Sequence, residues 1–147
     1  MNKSTQSKIS ILGFCLLLLN ACNWSANEDL SPETVALEFF DNIYNHNDIE
    51  KAVKLATPKY ARILQHYGNT KRVQSVLFNR RYDKVDIQLS KDVRFKEGIS
   101  PQAEQTTVTV LLDGSYAGNR YKDLKFVLLK RQPEGWRVEK LKTDPYR

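Results

Sequence analysis

The chain has 147 residues and a formal net charge of +6, with 23 Lys and Arg against 17 Asp and Glu. That length allows one domain and hardly more. Two cysteines and two histidines are a thin supply for a structural zinc framework, which needs three or four convergent ligands.

The N-terminal segment has the features of an export signal. Lys3 and Lys8 give it a positive start, and Ile9 to Leu19 is an almost unbroken apolar run of 11 residues. A helix that spans a bilayer needs about 20, and polar Asn20, Asn23, Ser25 and Asn27 forbid extension of the run. A charged start, a short apolar run and a small residue at its end make a signal peptide over residues 1–21. Two cysteines in an exported chain suggest a disulfide, but Cys15 lies inside the apolar run and leaves with it. Cys22 then stands alone, and the mature domain relies on its core.

Leu19-Asn20-Ala21-Cys22 resembles the lipobox of bacterial lipoproteins, with Asn20 its less usual residue. The alternative is an ordinary secretory signal with an incidental cysteine. The resemblance implies cleavage before Cys22, a thioether-linked diacylglycerol on its sulfur and acylation of the new amine. Two or more acyl chains anchor a protein stably where one does not. Asn23, not Asp, follows the cysteine, which in this resemblance implies the outer membrane and a domain facing the periplasm. Residues 22–30 form the lipidated cysteine and a tether. Its eight flexible residues reach about 16 Å root-mean-square.

Residues 31–147 are expected to form one globular unit. Ser31-Pro32-Glu33 supplies an N-cap, a proline at the first helical position and an early acid. Ala36, Phe39, Phe40 and Ile43 follow at the spacing of one helix face. The helix should stop near Asn45-His46-Asn47. Asn47 with Glu50 suits a capping box for a second helix with Ile49, Ala52, Val53 and Ala56 inward. Thr57-Pro58 opens a third that carries Tyr60, Ile63, Leu64 and Tyr67 and ends at Gly68. Thr70 to Phe78 makes a further short helical stretch, with Val73, Val76 and Leu77 apolar.

After Arg80 the period falls to two. Val85, Ile87, Leu89, Val93 and Phe95 share one parity and predict a half-buried strand, with a bulge or an edge at Lys91. Thr107 to Tyr116 predicts a second, inward at Val108, Val110 and Leu112. Ala117-Gly118-Asn119-Arg120 makes a tight turn. Tyr121 to Arg131 returns with Leu124, Phe126 and Leu128 inward. Pro133-Glu134-Gly135 turns again, and Trp136 to Lys142 is the last strand. The expectation is α+β: N-terminal helices packed on one face of a curved antiparallel sheet of about four strands.

Ser31-Pro32-Glu33, Glu38-Phe39-Phe40, Asn47-Asp48-Ile49-Glu50-Lys51-Ala52 and the closing Gly135-Trp136-Arg137-Val138 resemble small lipoproteins of the nuclear transport factor 2-like superfold, over roughly residues 31–142. The resemblance implies a curved sheet wrapped on helices, often with a pocket, and no particular activity.

Charge is unevenly laid out. Residues 23–56 hold seven acids and two bases, and residues 57–96 hold ten bases and three acids. Lys71, Arg72, Arg80, Arg81 and Lys84 form the dense part. An exported protein meets little nucleic acid, so a phosphate-bearing lipid surface or an acidic envelope protein is the expected partner; the alternative is an ordinary solvated face. His46 and His66 are not expected to meet, so no metal site is expected. No glycine-flanked serine elbow, nucleophilic cysteine or phosphate loop occurs, so no catalytic residue and no cofactor are expected. The alternative is a small-molecule or isomerase-like pocket. The resemblance implies an acid and a tyrosine for it, with candidates Asp41, Tyr44, Tyr60 and Tyr67. Asp41 falls on the polar side of its helix. The aromatics Phe39, Phe40, Tyr44, Tyr60, Tyr67, Phe78, Phe126 and Trp136 either line such a pocket or fill the core.

Overall fold

A computed structural model of the chain describes residues 30–90 and 102–143. Cys22 and its tether, Lys91, Val93 and Phe95 lie outside these residues. The fold is α+β, as expected: helices come first, then a four-stranded antiparallel meander in the order β1-β2-β3-β4.

Helix α1 (Pro32–Tyr44) starts where Ser31 Oγ accepts the Thr34 N–H at 3.2 Å. Ala36, Phe39, Phe40 and Ile43 are fully buried. Asn47, at φ 54°, turns the chain into α2 (Ile49–Lys54). The cap of α2 is Asp48, one residue later than the sequence spacing suggests, because its carboxylate takes the Lys51 N–H at 3.0 Å. Helix α3 (Pro58–Tyr67) is capped by Thr57 and closed by Gly68 at φ 77°, the left-handed conformation a glycine adopts without strain. It buries Tyr60 and Leu64 and leaves Ile63 38% exposed.

Helix α4 (Thr70–Arg72) widens into a π turn over Val73–Leu77. The extra residue per turn rotates the apolar face: Val73 stays buried, Val76 is 60% exposed, and Gln74 turns inward. There Gln74 Nε2 donates to the Ile43 carbonyl at 2.8 Å, so the polar side chain is satisfied where an apolar one was expected.

The strands are β1 (Lys84–Leu89), β2 (Gln105–Tyr116), β3 (Asn119–Gln132) and β4 (Gly135–Lys142). The β2–β3 turn is only Ala117-Gly118, both at positive φ, and it pairs Tyr116 with Asn119. That pairing corrects the third strand. Val108 stands opposite Val127, Val110 opposite Lys125 and Leu112 opposite Asp123, and opposed residues share a face. Val127 and Leu129 therefore join the core, Leu124 is 37% exposed, and Phe126 is buried from the other face. A one-residue error of register exchanges the two faces of a strand, and here it hid two charged residues on the helix side, Asp123 and Lys125.

The helices cover this inner face. Ala56 bridges Val138 in parallel; Val138 N–H donates to the Leu55 carbonyl at 2.8 Å, and Thr57 N–H to the Val138 carbonyl at 2.9 Å. The α2–α3 link thus closes the outer edge of β4 at Val138. Toward the other edge of the sheet Gly114 sits against Tyr82 and β1. A Cβ there would collide with the Lys84 carbonyl oxygen and lie 2.7 Å from the Tyr82 ring. Glycine is required by that approach.

Candidate functional site

The basic residues gather around one end of α1. Thr70 Oγ1 donates to Asn47 Oδ1 at 3.2 Å, which seats the start of α4 at the α1–α2 turn. The Arg80 N–H then reaches the Gln74 carbonyl, and the Arg80 carbonyl accepts the Tyr44 hydroxyl at 3.0 Å. From there the chain runs past the β2–β3 turn, where Asp83 Oδ2 accepts the Ala117 N–H at 2.8 Å. Lys71, Arg72, Arg81 and Lys84 are exposed, and none makes an ion pair among the described residues. The Arg81 guanidinium lies 5.5 Å over the Tyr116 ring.

Arg80 differs from its neighbours. It is half-buried, with its guanidinium 4.5 Å over the Tyr121 ring and its Nε without a hydrogen bond among the described residues. An aromatic face attracts a cation but takes no proton from it, so Arg80 braces this end more than it presents charge. Arg120 and Lys122 lie nearby on the outer sheet face and are neutralised. Asp113 takes both Arg120 N–H groups, at 2.9 and 2.8 Å, and Lys122 at 3.2 Å. Those bonds, Arg120's first, hold the Asp113 carboxyl down at about 2. The pair opens onto a groove of about 510 Å³ that Lys84 and Asp86 also line.

Under the helices lies an acid–tyrosine cluster that the sequence pattern missed. Asp123 and Lys125 form an ion pair at 2.8 Å with side chains 15% and 16% exposed. Lys125 Nζ also donates to the Phe78 carbonyl at 3.2 Å. The rings of Tyr44 and Tyr82 meet edge to face at 5.5 Å. Burial first, then neighbouring Asp123, pushes the Tyr82 hydroxyl up to about 12; burial, then Tyr82 and Asp123, pushes that of Tyr44 higher still. Every polar group in this set already has a partner: Tyr44 donates to Arg80, Tyr82 to the Leu112 carbonyl, and the carboxylate is held by Lys125. A proton relay needs a reacting group within hydrogen-bond reach. This arrangement ties α1, the chain after the π turn and β3 together.

The other acid–tyrosine candidates do not converge. Asp41 is 42% exposed and pairs with His46 at 2.8 Å, as its place on the polar side of α1 suggests. Tyr60 is buried beside Phe39, its hydroxyl pushed up by burial, and Tyr67 lies half-buried on α3. His66 packs edge-on to Tyr67. Among the described residues no three His, Cys, Asp or Glu side chains cluster as metal ligands, and no helix is long and apolar enough to cross a membrane. No protein-family model, curated protein or solved structure matches the chain.

Proposed function

We propose that this chain is a lipid-anchored envelope protein, held at Cys22, whose nuclear transport factor 2-like domain is a non-enzymatic binding module for an acidic protein surface. The observation that carries the reading is the exposed positive charge of Lys71, Arg72, Arg81 and Lys84, left without an ion pair among the described residues while Arg120 and Lys122 are paired. Unpaired charge on a surface steers and holds an oppositely charged partner. The helices-first α+β architecture supports the superfold, and the short apolar leader before Leu19-Asn20-Ala21-Cys22 supports the anchor.

Geometry favours a protein partner over the anchoring bilayer. The tether joins at Ser31, before the first turn of α1, whereas the basic residues surround its last turn. A helix of 13 residues is about 20 Å long, so the basic end lies about that far from Ser31, where the domain is attached. The test uses the lipidated protein anchored in neutral or anionic vesicles, with polyglutamate added outside. Polyglutamate should bind equally to both, release steeply as salt rises, and fail to bind the charge-reversed variant Lys71→Glu, Arg72→Glu, Arg81→Glu, Lys84→Glu. Loss of binding on anionic vesicles alone would mean that the basic end meets the membrane. Binding unchanged by charge reversal would leave only a solvated face.

A further inference from the structure

The two edges of the sheet are treated differently. The α2–α3 link closes β4 at Val138, while among the described residues β1 ends the sheet on the other side. The register shows which β1 groups face outward. Ser90 N–H bonds to the Thr109 carbonyl at 2.9 Å, and Asp83 N–H bonds to Ser115, the residue opposite Lys84. Hydrogen-bonded pairs alternate along an antiparallel ladder, so Lys84, Asp86 and Gln88 face β2. The N–H and C=O groups of Val85, Ile87 and Leu89 then face away, and among the described residues none has a hydrogen bond outside the sheet ladders.

The side chains along this edge define what would fit. Val85 and Ile87 lie half-buried on the inner side, and Leu89 at the end of the strand is 38% exposed. Lys84 starts the strand on the outer side, three residues after Arg81, and Asp86 follows two residues on with Gln88 bonded to it. An exposed edge accepts another strand unless something blocks it, and peptide recognition by strand addition takes affinity from the main chain and specificity from alternate side chains.

We propose that β1 takes up an extended segment of the acidic partner as an added fifth strand. This rests on the reading of the basic end as a protein-binding surface and names how the partner is held there. Antiparallel addition places the segment's C-terminal end beside Lys84 and Arg81, where acidic residues pair with both. A neutral residue belongs opposite Asp86, and β-branched apolar residues cover Ile87 and Leu89.

The test uses the full lipidated protein in detergent and the synthetic peptide Val-Thr-Val-Thr-Val-Glu-Glu, capped at both ends. Bound peptide should slow hydrogen exchange at the Val85, Ile87 and Leu89 amides. Replacing both glutamates with lysine, or introducing Lys84→Glu, should weaken binding about tenfold. Lys84 is exposed and unpaired, so Lys84→Glu keeps the fold. Bound peptide without protection of those three amides would overturn strand addition. So would protection that appears without peptide and rises with protein concentration, because the edge would then belong to a second copy. Polyglutamate binding that survives either result leaves the basic end standing and removes only the added strand. Loss of both removes the underlying reading.

Discussion

Lys125→Met is the most informative single change in the core. It keeps the aliphatic stem and removes the ammonium that holds Asp123 at 2.8 Å and the Phe78 carbonyl at 3.2 Å. Breaking a fully buried pair costs about 3–5 kcal/mol. These side chains retain 15–16% exposure, so water softens the loss and about 2–3 kcal/mol is expected. For a small domain that moves the urea midpoint down by about 1 M or more. The double change Asp123→Leu, Lys125→Met should cost less than Lys125→Met alone, since removing both charges leaves none stranded. Asp123→Asn supplies a second readout. It removes a negative charge that raises Tyr82, so the Tyr82 hydroxyl, followed by NMR of ring-labelled tyrosine, should ionise below about 12. A Lys125→Met protein within about 0.5 kcal/mol of the parent, together with an unmoved Tyr82, would refute the cluster as a brace.

Other substitutions test other parts of the fold. Gly114→Ala drives a methyl into the Lys84 carbonyl and the Tyr82 ring; it should cost about 1–3 kcal/mol and speed hydrogen exchange along β1. Leu129→Ala removes a fully buried side chain and should cost about 2–5 kcal/mol, while Leu124→Ala, at a position 37% exposed, should cost far less by the same urea titration. Asp113 has a carboxyl depressed from 3.8 to about 2 by Arg120 and Lys122. Its contribution is fully present above its unfolded value and is lost as the pH falls through about 2. Asp113→Asn should therefore flatten the acid side of the stability curve between those values.

The sequence makes the helical half legible because its signals are local. Ser31, Thr57 and Gly68 each act within a few residues of themselves, and the Phe39, Phe40, Ile43 stripe needs only a 3.6-residue period. Alternation also suffices for the start of β2, where Thr107 and Thr109 flank Val108 and precede Val110. It fails for β3 because Phe126 to Leu129 is apolar at four successive positions and offers both faces equally. The deciding signal is the turn. Counting outward from a two-residue Ala117-Gly118 turn pairs Leu112 with Asp123 and Val108 with Val127. Treating Asn119 and Arg120 as turn residues as well shifts each partner by two and keeps the same faces, so either turn places Asp123 on the inner side with Leu112, where alternation within β3 alone does not. The basic cluster is legible as a list of residues but not as a surface. That Arg80 lies on Tyr121, and that four of the five basic residues make no ion pair among the described residues, depends on contacts the sequence does not place.

The proposed anchor at Cys22 is open to a single measurement, intact-mass spectrometry of the mature protein from its native envelope. The expected product begins at Cys22, lacks residues 1–21 and carries the added mass of a diacylglycerol and an amide-linked acyl chain. A mature chain with an unmodified Cys22 thiol would contradict the anchor, and the basic end would then belong to a freely diffusing protein.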